Sequence, residues 1–127
     1  MAFKFIAVQG LTLTPQGIVV SGTGVLTIIS VPSTKVREGS NFAYKQNLQF
    51  TLVGANAAGY DPGTVATVGI ATISPAALKT KADGQLVMRV DDQNLTVSMT
   101  GTISGTPTPF IEPWKITNAG QATARTE

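Results

Sequence analysis

The chain has 127 residues, a formal net charge of +2, 13% charged side chains, and neither cysteine nor histidine. A chain of this length forms one domain with a modest core. Missing thiols and imidazoles exclude disulfides, the commonest zinc sites and the usual general base.

Threonine at 18 positions, with valine and isoleucine, favours strands, and 20 glycines and prolines supply turns. The N-terminal "AFKFIAV" reads as a strand, and its apolar run ends at Gln9, too short for a signal peptide or membrane helix. A cytoplasmic location before any assembly is the expectation. "GIVVS" and "GVLTIIS" follow, divided by a turn at Gly22–Gly24. "FAYKQ" comes after a Glu38-Gly39 turn, and "LQFTLVG" alternates Leu48, Phe50 and Leu52 with polar residues. "ANAAGYDPG" (55–63) is a loop, and "TVATVGIATI" is a further strand segment. Asp83-Gly84 before "QLVMRV" is a hairpin signal, because such turns need positive φ. In "NLTVSMTG" the residues Leu95, Val97 and Met99 are expected on one face. Three prolines follow Gly105. Residues 105–109 are therefore expected as a linker, 110–117 as a docked segment and 118–127 as a frayed or partner-bound tail. No stretch carries a helical period. The predicted class is all-β, built of hairpins and short sheets, with no substantial helix.

One phrase occurs twice. "VPSTKVREGSNFAYKQ" and "SPAALKTKADGQLVMRVDD" each place a proline and a Lys-x-Lys/Arg pair before a glycine and an apolar run. Lys35 and Lys79 align at an offset of 44, and Gly39 and Gly84 at 45, which implies one inserted residue. Each copy leads into an Asn-Leu strand. The repeat spans about 24–53 and 68–100 within a β-rich domain, 1–104, followed by a C-terminal extension, 105–127. Duplicated hairpins imply packing about an axis, with a core that one unit could not bury alone.

Chemistry finds little support in these residues. The acids Glu38, Asp61, Asp83, Asp91, Asp92, Glu112 and Glu127 do not form a converging pair; Asp91 and Asp92 are adjacent, so on a strand they point apart. Calcium is chemically open at Asp91 and Asp92, but no ligand spacing supports it. Ser33 and Lys35 share a face only as part of an ordinary strand. The glycine-rich "SGTGV" and "GTISGT" lack the Lys-Ser/Thr ending of a phosphate loop. Lys79 and Lys81 read as a strand face, since nine scattered basic residues make no nucleic-acid patch. No catalytic residue, metal or cofactor is expected. Phe110, Ile111 and Trp114 in "PFIEPWKI" either anchor a partner or close the protein's own core.

"GQLVMRVDD" (84–92) resembles the G-x-P-A-A-R-V-G-D stretch of the PAAR-repeat proteins, with Gly84, Arg89, Val90 and Asp92 on matching positions. Leu86, Val87 and Met88 replace the small residues. The resemblance covers roughly 22–101, and the preceding "TISPAALKTKADG" looks like that family's strand into the hairpin turn. It implies a β cone with pseudo-threefold symmetry that caps a trimeric β-helical spike, one copy per trimer. Such caps sharpen the tip of contractile injection machines, including type VI secretion systems and related phage tails. The implied partners are the spike, effector cargo and, transiently, a target membrane; the particle is delivered outside the cell. Many family members hold the apex with a metal on histidines and a cysteine. Here apolar side chains such as Val87 or Phe42 would have to fill it. The third face is expected from "IVVSGTGVLTI" (18–28). The competing readings are a small β-sandwich module for carbohydrate or protein, with Phe110, Tyr44 or Trp114 as contacts, and another phage baseplate component.

Overall fold

A computed structural model describes residues 3–77 and 79–126, and every regular element in them is a strand. In chain order these are β1 (Lys4–Phe5), β2 (Thr12–Pro15), β3 (Val25–Ile28), β4 (Arg37–Glu38), β5 (Asn41–Phe42), β6 (Leu48–Val53) and β7 (Ala66–Thr67). They continue with β8 (Ala71–Ile73), β9 (Lys81–Ala82), β10 (Gln85–Leu86), β11 (Gln93–Ile103), β12 (Thr106–Asn118) and β13 (Arg125–Thr126). All pairings are antiparallel, and the all-β expectation holds. Two larger sheets run β2-β12-β11-β7 and β3-β6-β8; three two-stranded ribbons are β4/β5, β9/β10 and β1/β13.

Alternation explains the best-defined strand. Leu48, Phe50 and Leu52 are buried while Gln49 and Val53 are exposed, as a half-buried sheet requires. The same rule misplaces Leu95. A bulge between Asn94 and Val97 shifts the register, so Val97 and Met99 face the core and Leu95 is 59% exposed.

The C-terminal region is not linker and tail. Gly105 closes a turn and residues 106–109 begin β12, the longest described strand, while β13 pairs with β1 through Phe5↔Arg125 and Lys4↔Thr126. Pro107, Pro109 and Pro113 share one parity. The Gln16 N–H donates to the Pro113 carbonyl, so that parity turns its backbone toward β2 and away from β11. A missing N–H there breaks no β11 ladder bond, and proline is tolerated.

Two apolar clusters divide the molecule. The larger lies among the long strands and holds Trp114, Phe50, Leu48, Ile73, Met88 and Met99. Trp114 stacks at a tilt on Phe50, 5.0 Å between ring centroids. The smaller cluster lies among the ribbons and contains Ile6, Val8, Ala43, Ala77, Ala82 and Val87.

Candidate functional site

Three short segments, Ile6–Val8, Ala43–Lys45 and Val87–Arg89, meet in a closed ring. The Ala7 N–H donates to the Met88 carbonyl at 2.8 Å, Met88 N–H to Tyr44 at 2.9 Å, and Tyr44 N–H to Ala7 at 2.9 Å. A second cycle surrounds it: Gln9 N–H donates to Phe42, Gln46 N–H to Leu86, and Val90 N–H to Phe5, each at 2.9 Å. The bridges Val8↔Ala43, Lys45↔Val87 and Ile6↔Arg89 complete the same rotation. Such a cycle closes only if the three segments are equivalent about one axis. Each is an extended run whose middle residue points to the larger cluster and whose first points to the smaller.

Each ring segment is fed by one ribbon, and the ribbons match position for position. Pairs Arg37↔Phe42, Lys81↔Leu86 and Arg125↔Phe5 set a basic residue opposite an apolar one. The Arg125 guanidinium lies 4.5 Å from the Phe5 ring centroid and that of Arg37 lies 6.0 Å from Phe42. The next residues repeat again: Ala43 N–H donates to Val36, Val87 N–H to Thr80, and Ile6 N–H to Ala124. Positions 36, 80 and 124 are each 44 apart. The third face is therefore made by both ends of the described chain, residues 4–8 and 119–126. The segment 18–28 expected for it supplies a loop and β3 instead.

The offset is 44 throughout both hairpins, and no residue is inserted. Gly39 is the first loop residue of the 37–42 hairpin, with φ 62°, and Ser40 follows without positive φ. In the 81–86 hairpin both loop residues are left-handed, Asp83 at 53° and Gly84 at 80°. Two turn types place the glycine differently, which mimics an insertion. The shared Asn-Leu start also misaligns: the ring places Asn47 opposite Asp91, not Asn94.

The residues of the quoted motif mostly hold this ring. Arg89 and Asp92 are buried, and the Asp92 carboxylate accepts from the Arg89 N–H at 2.7 Å and the Ala76 N–H at 3.4 Å. The Arg89 side chain donates to the Thr126 carbonyl at 3.4 Å, tying the 81–86 copy to the chain's end. Burial pushes the Asp92 carboxyl above the usual aspartate range, although the Arg89 amide and guanidinium pull the other way. Asp91, at φ 71°, stands where the motif has glycine and takes a backbone conformation that glycine adopts freely. Its carboxylate lies 3.3 Å from both Lys4 and Lys115. Desolvation raises its pKa, but the two lysines more than offset this and hold it below normal.

Other expected residues are dispersed. Lys45 bonds Asp83 at 2.8 Å, which holds that carboxyl below the usual range with help from Ser33 and Lys35. The Ser33 hydroxyl accepts from the Lys35 and Val36 amides, so its tie to Lys35 is a backbone turn. Asp61 caps the Ser104-Gly105 turn, and the Gly105 N–H foremost holds its pKa down. Asp91 faces two lysines and Asp92 faces inward, so the pair does not converge on a cation. Among the described residues no three acids or other metal-ligating side chains cluster.

Trp114 is 2% exposed, and its indole N–H points at the Met99 sulfur at 3.4 Å. A side chain so enclosed is no stacking platform, and it closes the core instead. Phe110 packs on Tyr60, with centroids 4.9 Å apart, and Ile111 alone of the three is exposed. Val87 does fill the smaller cluster, but Phe42 lies outside it, beneath Arg37. Sequence reading missed Ala7, and it named Tyr44 only as a contact of the competing sandwich module and Met88 only as a substituted motif residue. Their spacing of 44 from Tyr44 to Met88 was visible, but Ala7 belongs to a copy split between the chain's two ends. No family model matches the chain, and no curated protein or solved structure matches it either.

Proposed function

We propose that this protein is a PAAR-like cap seated on a trimeric β-helical spike of a contractile injection machine, one copy per three spike chains. The observation that carries the reading is the cyclic hydrogen bonding of Ala7, Met88 and Tyr44. A single chain that must fit three identical chains has to offer three equivalent surfaces, and a closed ring of three matched segments builds them. The left-handed Asp91 in the glycine position of the quoted motif adds support from local geometry.

The apex chemistry departs from the metal-holding members of that family. There is no histidine or cysteine to ligate, and the space between the ribbons is filled by Ile6, Ala43, Val87, Val8 and Ala82. These residues do not fit a metal. Apolar packing replaces the cross-link, so folding is independent of any metal.

Strands on the far side of the ring supply the spike-facing base. β3 begins there and β6 ends there, and Val25 and Val53 pair across them while both are more than half exposed. Val68, Ile70 and Ile111 are also exposed. Val25 and Val53, apolar side chains at strand ends, suit burial against another β structure, with strand pairing satisfying backbone groups. Mixed with a trimeric spike from its own gene neighbourhood, the protein should co-elute at one copy per three chains, read by light scattering. Failure to bind any spike from its own gene neighbourhood would falsify the reading. In this assignment it is made in the cytoplasm, loaded into the particle and carried out of the cell, with cargo and a target membrane as passing contacts.

A further inference from the structure

Charge is divided unequally across the ring. Segments 12–34, 46–78 and 93–114, which build most of the two larger sheets, contain no lysine or arginine and only two acids, Asp61 and Glu112. Both acids are turned to the protein's own backbone, Glu112 to the Gly17, Ile18 and Val19 amides and Asp61 to the Ser104-Gly105 turn. The ribbons, the ring and the residues beside them hold all nine basic residues against five acids, a surplus of four positive charges.

Three of these cations occupy equivalent, unpaired places. Lys4 and Lys115 pair with Asp91, Lys45 with Asp83 and Arg89 with Asp92, and Lys35 also acts on Asp83 through its charge. Arg37, Lys81 and Arg125 are exposed and form no ion pair with a described residue. They are the residues that the three ribbons set at matching positions, 44 apart. Their strand parity is opposite to that of Val36, Ala82 and Ala124, which pack into the smaller cluster, so they project from the outer face of each ribbon. Directly across from them on that face are Phe42, Leu86 and Phe5, each partly buried. Every ribbon flank thus joins one unpaired cation to one partly exposed apolar side chain.

Three such pairs about one axis meet a plane at equal depth when the axis stands perpendicular to it. A bilayer surface is a plane with phosphates above an apolar interior, and its headgroup boundary takes up a cation set beside an apolar group. A nucleic-acid strand follows a continuous groove, which three flanks spaced around an axis do not make. We propose that the three ribbon flanks bind the surface of an anionic lipid bilayer face-on, with Arg37, Lys81 and Arg125 on lipid phosphates and Phe42, Leu86 and Phe5 at the headgroup–acyl boundary. This belt needs no spike to act, and it gives residues to the membrane contact that the cap reading leaves open.

The test floats the full chain with vesicles of phosphatidylcholine alone or with about 30% phosphatidylglycerol. Protein should float with the anionic vesicles only and be released as salt is raised to about 0.5 M, because screening weakens the attraction. Each cation near such a surface strengthens binding roughly fivefold, so Arg37→Gln/Lys81→Gln/Arg125→Gln should weaken it at least about thirtyfold. Arg37→Lys/Arg125→Lys keeps the charge and should bind like wild type. Thr27→Glu/Ser98→Glu/Thr106→Glu removes the same net charge from the sheet side of the ring, where salt screens it from the bilayer, and should bind within about twofold of wild type. Circular dichroism confirms each fold. No flotation with anionic vesicles at low salt, or an equal loss in the glutamate and glutamine variants, overturns the proposal. So does a duplex DNA that binds more tightly and displaces the vesicles, which would give the belt to nucleic acid.

Discussion

Glu112→Gln tests whether a single buried carboxylate holds the 16–24 connection. Glu112 is buried, and its oxygens accept three successive backbone amides: Gly17 at 2.9 Å, Ile18 at 2.9 Å and Val19 at 3.1 Å. Oε2 serves Gly17 and Val19, and Oε1 serves Ile18. A glutamine of the same shape can keep its oxygen at the Oε2 place, where two bonds survive without charge. Its amino group then meets the Ile18 N–H donor to donor. Hydrogen bonds to charged groups contribute about 1.5–3 kcal/mol and neutral ones about 1 kcal/mol, while an orphaned buried donor costs about 1–3 kcal/mol. Relief from burying a charge offsets part of this. The net loss should be about 2–4 kcal/mol, and Glu112→Ala, which leaves all three amides without an acceptor, should lose more. Urea unfolding followed by Trp114, the sole tryptophan, reads the change. A loss under about 0.5 kcal/mol with an unchanged m-value would refute the account, because the three bonds would then carry no net stability.

Gly17→Ala should destabilise through the same contact, since its Cβ would lie 2.2 Å from Glu112 Oε1; a midpoint equal to wild type in the same titration would contradict it. Met88→Ala empties a fully buried position of the ring and should cost about 2–5 kcal/mol, measured by urea unfolding. Asp91→Gly should be more stable than Asp91→Ala by about 1 kcal/mol, because both lose the lysine pairs but only alanine keeps the left-handed strain. Asp61 and Asp83 have lowered pKa values, so their contribution is present above the ordinary aspartate value of 3.8 and is lost as pH falls through the folded values. Asp92 is raised, so it carries a cost that is present above its folded pKa and relieved as pH falls through it. Carboxyl NMR titration should find Asp92 above 3.8 and the other two below it.

Local signals in the sequence were legible where one rule decided the outcome. The Leu48, Phe50, Leu52 alternation became β6, and the Asp83-Gly84 pair became a two-residue loop with both residues left-handed. Leu95 defeated the same period because a bulge adds one residue that no side-chain pattern announces. The prolines of β12 suggested a linker because proline opposes strands in general; their shared parity, which makes them tolerable, matters only once the unpaired side is known. Two thirds of the symmetry were readable as repeated phrases. The last third was hidden because Arg125 and Phe5 occupy the places of Arg37 and Phe42 at opposite ends of the text. The site's ring is backbone hydrogen bonding, and residue identity writes little of that into sequence.

The β1/β13 pairing has a consequence during synthesis. β1 can take its ladder partner only after everything between it and β13 has been made. At roughly 5–20 residues per second, about 120 further residues take some 6–24 s. For that interval the two internal hairpins and β6 can form from neighbours in sequence, while Ala7 already has Tyr44 and Met88 as possible partners. This ribbon therefore closes through contacts far apart in sequence, the kind whose loop-closure cost slows folding.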